Sequence, residues 1–201
     1  VPASHDSATP STLGYALLCA LHKGPLTGYD LVRRMRAPIG YYWTAQQSQI
    51  YPELTRLGAL GLVEATAEHG PGPHEKRTHR LTGAGRAALA AWLVQPPRHR
   101  PPRDELVLRT YALSVADPAA MRAMYLEQAA GYEKQLADYR GQQEQVRSRG
   151  GDAPGHIDFG AYATLELGIR HARELADWCG WVAARLTDPG PAGTGDAGPG
   201  S

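Results

Sequence analysis

Helical periodicity in both halves, one pair of strand-like runs split by a Gly/Pro loop, and a proline-rich break between the halves predict a mainly α protein. The order of these features gives an N-terminal winged helix-turn-helix unit followed by a C-terminal antiparallel pair of long helices suited to dimerisation. The expected organisation is a disordered arm over 1–11, the winged unit over 12–94, a Pro/Arg linker over 95–103, the helical dimerisation unit over 104–187 and a disordered tail over 188–201.

The arm is polar and aperiodic, with two prolines and no Lys or Arg. In LGYALLCALHKG, Leu13, Leu17, Ala20 and Leu21 fall on one side of a helix that Gly24-Pro25 ends. Thr27 is placed to cap a second helix, with Asp30 three residues on and Leu31 and Met35 continuing an apolar face toward Ile39. Arg33, Arg34 and Arg36 lie on or near its outer side. Gly40 to Gln47 packs Tyr41, Tyr42 and Trp43 into the turn before a third helix, SQIYPELTRLGALGLV. There Ile50, Leu54, Leu57 and Leu60 form the buried seam, and Gln49, Glu53 and Arg56 face outward. Because Pro52 has no N–H and is best tolerated in a first turn, the helix is expected to begin at Ser48 as its N-cap, with Gly61 as its stop. A short helix with Gln, Ser, Tyr and Arg at its exposed end carries the donors and acceptors needed to read base edges in a major groove. Leu62 to Ala67 and Lys76 to Leu81 read as strands joined by EHGPGPH, the hairpin of a wing. Thr82 caps a fourth helix in which Leu89, Trp92 and Leu93 are expected to face the core.

QPPRHRPPR, residues 95–103, carries four prolines among basic residues and can be neither helix nor paired strand. Asp104 to Ser114 reads as a short helix with Leu106, Tyr111 and Leu113 apolar. Asp117-Pro118 opens a long one, cap followed by proline at the first helical position. Tyr125, Ala129, Tyr132, Leu136, Tyr139, Gln143 and Val146 then recur at four and three. After SRGGDAPG, a last helix is expected from about His156 to Leu186, with Ala161, Leu165, Gly168, Ala172, Leu175, Cys179, Val182 and Leu186 as its seam. Two such helices leave apolar surface that a second copy of the chain would cover.

The 42% hydrophobic content supports two small cores, and no apolar run approaches a bilayer span, so no membrane partner is expected. Cys19 and Cys179 provide neither a disulfide framework nor metal spacing, which fits a cytoplasmic protein. The net charge of +1 hides an asymmetry. Residues 12–93 hold nine Lys/Arg against five acids, residues 104–187 nine against twelve, and Arg98, Arg100 and Arg103 lie between. The basic excess falls in the half with the candidate reading helix, as expected for contact with double-stranded DNA. Glu68, His69, His74, Glu75 and His79 supply ligand types at the wing, but their spacing matches no standard site, and neither metal nor cofactor is expected. No nucleophile elbow or cysteine–base pair points to an enzyme. The rival reading is a helical interaction or small-molecule-binding protein whose winged unit has lost DNA binding; the basic excess argues against it.

LTGYDL, then WTAQQSQIYPELTRLGALGLV, then KRTHRLTGAGRAALAAWL resemble the PadR family of bacterial transcription regulators, and the helices opening with RDELVLR look like the C-terminal domain of its virulence-activator type. The resemblance runs from about Leu13 to Leu186. It implies a homodimeric winged-helix repressor of a pseudo-palindromic operator, released by a small aromatic or hydrophobic effector. Carried over by position, Tyr29, Ser48, Gln49 and Tyr51 face DNA and Lys76 and Arg77 form the basic side of the wing; Gln47 and Arg56 join them as polar residues of the reading helix. His79 departs from the tyrosine usual in the family, which opens a pH- or ligand-sensitive role. Tyr41, Tyr42, Trp92, Tyr111, Trp178 and Trp181 are the candidate effector-binding rings, more aromatic surface than small cores require.

Overall fold

Ser11 starts the first helix: its Oγ accepts the Gly14 N–H at 3.0 Å, satisfying one of the donors a helix N-terminus leaves open. The structure, a computed structural model, describes residues 9–35, 46–68, 76–97 and 104–186, with the side chains of Gln47, Glu68 and Lys76 excepted. It divides into two compact units, 1–99 and 100–201. The expected disorder of residues 1–8 and of the tail, the placement of Tyr41, Tyr42 and Trp43, and the wing tip with His69, His74 and Glu75 lie outside the described residues.

In the first unit α1 (Thr12–Leu21), β1 (Leu26–Thr27), α2 (Gly28–Arg34), α3 (Gln47–Ala59), β2 (Val63–Glu68), β3 (Lys76–Leu81) and α4 (Gly83–Leu93) follow in order. Leu17, Leu18, Leu21, Leu31, Met35, Ile50, Leu54, Leu57, Leu62, Val63 and Leu89 form its core. Thr27 and Thr82 cap α2 and α4, their hydroxyls accepting the N–H groups of Asp30 at 3.1 Å and Gly85 at 2.9 Å. The sheet has three strands in the order β1-β3-β2, all antiparallel, with Leu26 opposite His79 and Ala65 opposite His79 on the other side.

Several expectations are corrected. The N-cap of α3 is Gln46, two residues before Ser48: its backbone N–H donates to Gln49 Oε1 at 3.2 Å, and Gln49 N–H returns to the Gln46 carbonyl at 2.9 Å. Ser48 is therefore inside the helix, and Pro52 lies in the second turn, where its missing N–H leaves the carbonyl of exposed Ser48 without its helical donor. Gly61 does stop the helix. At φ +68° it allows Gly61 N–H to reach Gly58 O at 2.9 Å and Leu62 N–H to reach Leu57 O at 3.0 Å, a Schellman closure. Leu93 is 62% exposed rather than turned to the core, because Gly85, Ala88, Leu89 and Trp92 already fill the inward face of α4.

The second unit contains α5 (Glu105–Tyr111), a 3-10 turn (Leu113–Val115), α6 (Pro118–Arg147) and α7 (Phe159–Arg185). Asp117 caps α6, accepting from Ala120 N–H at 2.8 Å, with Pro118 at the first helical position. Helix α6 packs along α7 through two clusters: Tyr125, Ala129, Cys179, Val182 and Ala183 at one end, and Tyr139, Val146, Leu165, Ile169 and Ala172 at the other. Gln143 Nε2 donates to Glu166 Oε2 across the pair at 3.0 Å. Helix α7 begins at Phe159 rather than His156; residues 156–158 are a turn in which the His156 ring accepts the Asp158 N–H at 3.1 Å. Tyr125 is fully buried, and its hydroxyl pairs with Thr110 Oγ1 at 2.6 Å, fastening α5 to α6. Tyr111 is 94% exposed, because Leu106, Thr110 and Leu113 occupy the inward face of that segment and Tyr111 falls outside their arc. No described helix is long and apolar enough to cross a membrane.

Candidate nucleic-acid interface

Where α2 begins, β1 holds Leu26 and Thr27 against β3, and the Thr27 cap turns the chain sharply into Gly28. The ring of Tyr51 lies over Gly28; a Cβ there would meet Tyr51 Cε1 at 2.7 Å and its hydroxyl at 3.1 Å. A side chain here would push the Tyr51 ring aside, so the bare Cα of Gly28 is what lets that ring lie against the start of α2. Tyr29, next in sequence, projects outward and is 72% exposed.

On the sheet, alternation puts Val63, Ala65, Arg77 and His79 on one face and sends Glu64 and Arg80 to the other, where they form an ion pair at 2.8 Å. The first face continues from the core to the surface. With Thr27, Gly28, Tyr29 and Asp30 from the start of α2 and Tyr51, Leu54, Thr55 and Gly58 from α3, it encloses an open groove of about 710 Å³. The floor is apolar and the rim carries two phenols, a guanidinium, an imidazole, two threonine hydroxyls and the Asp30 carboxylate. A floor of this kind accommodates deoxyribose or a thymine methyl, and the rim supplies phosphate and base-edge donors.

The charges of the groove are arranged to accept an anion. Asp30, its one acid, accepts from Thr27 Oγ1 at 2.7 Å and pairs with Arg33 at 3.3 Å, so its charge is answered locally at the helix start. Burial, and then the neighbouring Arg77, push the His79 imidazole below its ordinary pKa, which favours the neutral ring in the free protein.

Of the residues expected at DNA, Tyr29, Tyr51 and Arg77 meet at this groove, and Ser48 lies exposed in the first turn of α3. Gln49 is exposed as well, with its Oε1 drawn back to the helix start. Gln47 and Lys76 are placed in α3 and β3 by their backbones; their side chains lie outside the described residues. Arg56 does not join the groove. It is half-buried on the far side of α3, donating to Glu53 Oε1 at 3.2 Å and to the Thr9 carbonyl at 2.6 Å. Glu53, expected to face solvent, is largely buried there.

Of the rings proposed for an effector, those among the described residues occupy separate surroundings. Trp92 stacks on Tyr15 in the winged core at 4.6 Å and 8°, Trp178 sits edge-on to Tyr125 at 5.9 Å, and Trp181 is half-exposed beneath the Arg185 guanidinium. Tyr111 is at the surface, and Tyr41 and Tyr42 lie outside the described residues. Thr55 and Gly58, a turn and two turns beyond Tyr51, were missed as groove residues although the spacing of four and three is itself a stripe. His, Cys, Asp and Glu form no cluster able to hold a metal among the described residues.

Sequence models of two known domains match this chain. That of the transcriptional regulator PadR-like family covers residues 17–91, and that of the virulence activator alpha C-terminal domain covers 102–187. A probable transcriptional regulator of Mycobacterium tuberculosis, Rv1176c, is 30% identical over 189 residues, 88% of this chain and 98% of the relative. The negative transcriptional regulator PadR of Bacillus subtilis is 28% identical over 179 residues, 87% of this chain and 97% of its own length. Crystal structures of Bacillus subtilis PadR superpose on the chain with a TM-score of 0.78 in complex with operator DNA (28% identity, 88% and 99% of the two chains covered) and 0.72 in complex with p-coumaric acid (27%, 89% and 100%).

Proposed function

The chain belongs to the PadR-like family of transcriptional regulators, DNA-binding proteins and not enzymes, and from that premise we propose that it is a homodimeric repressor of a pseudo-palindromic operator, released by a small aromatic or hydrophobic effector. The observation that carries the DNA-binding part is the convergence of Tyr29, Tyr51 and Arg77 on one groove beside the exposed start of α3. In this reading the first turn of α3, Gln47 to Tyr51, enters the major groove, Tyr29 and Arg77 hold the flanking phosphates, and Lys76 extends the basic edge of the hairpin. A dimer sets two such helices about 34 Å apart, one turn of B-DNA, and so asks for a two-fold site.

The repressor part is supported by the relative named a negative regulator, and the effector part by the relative crystallised with p-coumaric acid. Of the rings considered for the effector, Trp92, Trp178 and Trp181 serve as fluorescent reporters. An effector acts only through different affinities for the DNA-bound and free states, and a tenfold loss of operator affinity needs about 1.4 kcal/mol of such coupling. The setting proposed is the cytoplasm, where operator DNA resides.

The test is to recover the genomic fragments retained by the purified protein, then titrate one by fluorescence anisotropy with and without p-coumaric acid and related phenolic acids. Retention of a two-fold sequence, released by one of the acids with a change in tryptophan emission, is the expected result. Retention of no preferred sequence would sink the repressor reading, and retention without release by any acid would sink the effector part.

A further inference from the structure

Helix α3 carries two polar strips, one on each side of its Ile50–Leu54–Leu57 seam. Ser48, Tyr51 and Thr55 run along the groove side; Gln49, Glu53 and Arg56 run along the other. The second strip is fastened. Glu53 Oε1 accepts from Ser11 Oγ at 2.7 Å and from Arg56 Nη1 at 3.2 Å, while Arg56 Nη2 donates to the Thr9 carbonyl at 2.6 Å. Ser11 is also the N-cap of α1, and a Cβ at Gly14 would lie 2.5 Å from the same Glu53 oxygen. The carboxylate thus sits against the first turn of α1, at the positive end of its dipole. The Glu53 side chain keeps 13% of its exposure and that of Arg56 33%. Both ends of the guanidinium fork are spent on protein oxygens.

We propose that Arg56 is a positioning residue for DNA recognition and not a phosphate contact: with Glu53 and Ser11 it clamps the start of α1 to α3 and fixes the rotation at which α3 presents Ser48 and Tyr51. The inference rests on the DNA-binding reading above. A helix held by an apolar seam alone can roll about its axis; one pinned along a polar strip beside that seam cannot roll without breaking charge-assisted hydrogen bonds in a partly desolvated site.

The two roles for Arg56 predict opposite signs. A phosphate contact needs only a positive point charge, so Arg56→Lys would keep affinity, and Glu53→Gln would tighten binding to all DNA by removing a competing anion. A clamp needs the fork and the carboxylate, so Arg56→Lys and Glu53→Gln each lose discrimination. The experiment uses the full chain, a duplex selected by the wild-type protein from a random library, and a scrambled duplex of the same length, titrated at two salt concentrations, with thermal melting as the check on folding. The expected result is a fall of about tenfold in the ratio of selected to scrambled affinity for each variant, a double variant no worse than either single one, and an unchanged salt slope. Near wild-type discrimination in Arg56→Lys, tighter binding by Glu53→Gln, or a salt slope flattened by about 0.9 in Arg56→Ala would overturn the proposal. Failure of the wild-type protein to enrich any duplex would instead remove the DNA-binding reading, and this inference with it.

Discussion

His79 occupies the middle strand between Leu26 and Ala65, half-buried at the groove, and both burial and Arg77 favour its neutral form. Its folded pKa therefore lies below the unfolded value of about 6.5, so within that window the unfolded chain binds more protons and stability rises with pH. Urea melts should show stability falling as pH drops through 6.5 toward the folded pKa, level above it, and His79→Gln should flatten that dependence. A phosphate brought to the groove reverses the preference by stabilising the imidazolium. Operator affinity should thus strengthen between pH 7.5 and 6, and the same variant, titrated by anisotropy, should lose this gain. At Gly28 an added methyl would displace the Tyr51 ring. Gly28→Ala is expected to weaken operator binding by more than it lowers the melting temperature, and equal losses in both would show that Tyr51 serves only the core. Removing Lys76 and Arg77 together should weaken selected and scrambled DNA alike and flatten the salt slope by as much as about 2.

Among the elements, the junction of α3, β2 and α4 is the tightest. Thr82 Oγ1 donates to the Gly61 carbonyl at 2.7 Å and Thr82 N–H to Leu62 O at 3.1 Å, while Gly85 lies so close to the Leu62 backbone that a Cβ would collide with its carbonyl. Chemical denaturation should find Thr82→Ala costing about 1 kcal/mol as a lost cap, and Gly85→Ala costing more, about 1–3 kcal/mol, because backbone must move to admit the methyl. A Gly85→Ala variant as stable as the parent would contradict the close approach. The caps at Thr27, Thr82 and Asp117, the Gly61 stop and the seams of α6 and α7 were legible in the sequence, since each depends on residues within a few positions of one another. Strand β1 was not: two residues carry no periodicity, and Leu26-Thr27 becomes a strand only because β3 lies beside it. The start of α3 follows the reciprocal Gln46–Gln49 bonding and not the first-turn preference of Pro52, the stronger signal in the sequence. Hydrophobicity alone turns Leu93 toward the core, where helical phase leaves it exposed. Three of the expected DNA residues do meet at the groove, but the bonds of Arg56 to Thr9 and of Glu53 to Ser11 span 47 and 42 residues of sequence, which no local pattern reports.

For the molecule as a whole, the second unit leaves Leu108 70% exposed and Tyr111 94% exposed, with Val107 and Val115 also at its surface. A second copy would cover such a patch, and we expect sedimentation to give a dimer that Leu108→Glu with Tyr111→Glu shifts toward monomer. A dimer unaffected by that pair would place the interface elsewhere. Deleting α7 is the poorer test, since it also strips α6 of the partner that buries Tyr125 and Tyr139. In the first unit, the fastening of Leu62 and Thr82 has a mechanical consequence. Both strands of the wing are rooted at the point where α3 ends and α4 begins, so one anchorage carries two strands and two helices. Arg77 stands four residues from the root at Leu81, roughly 13 Å along the strand. Its position is governed by the stiffness of that anchorage, so a change at Gly61, Thr82 or Gly85 is transmitted along β3 to the groove.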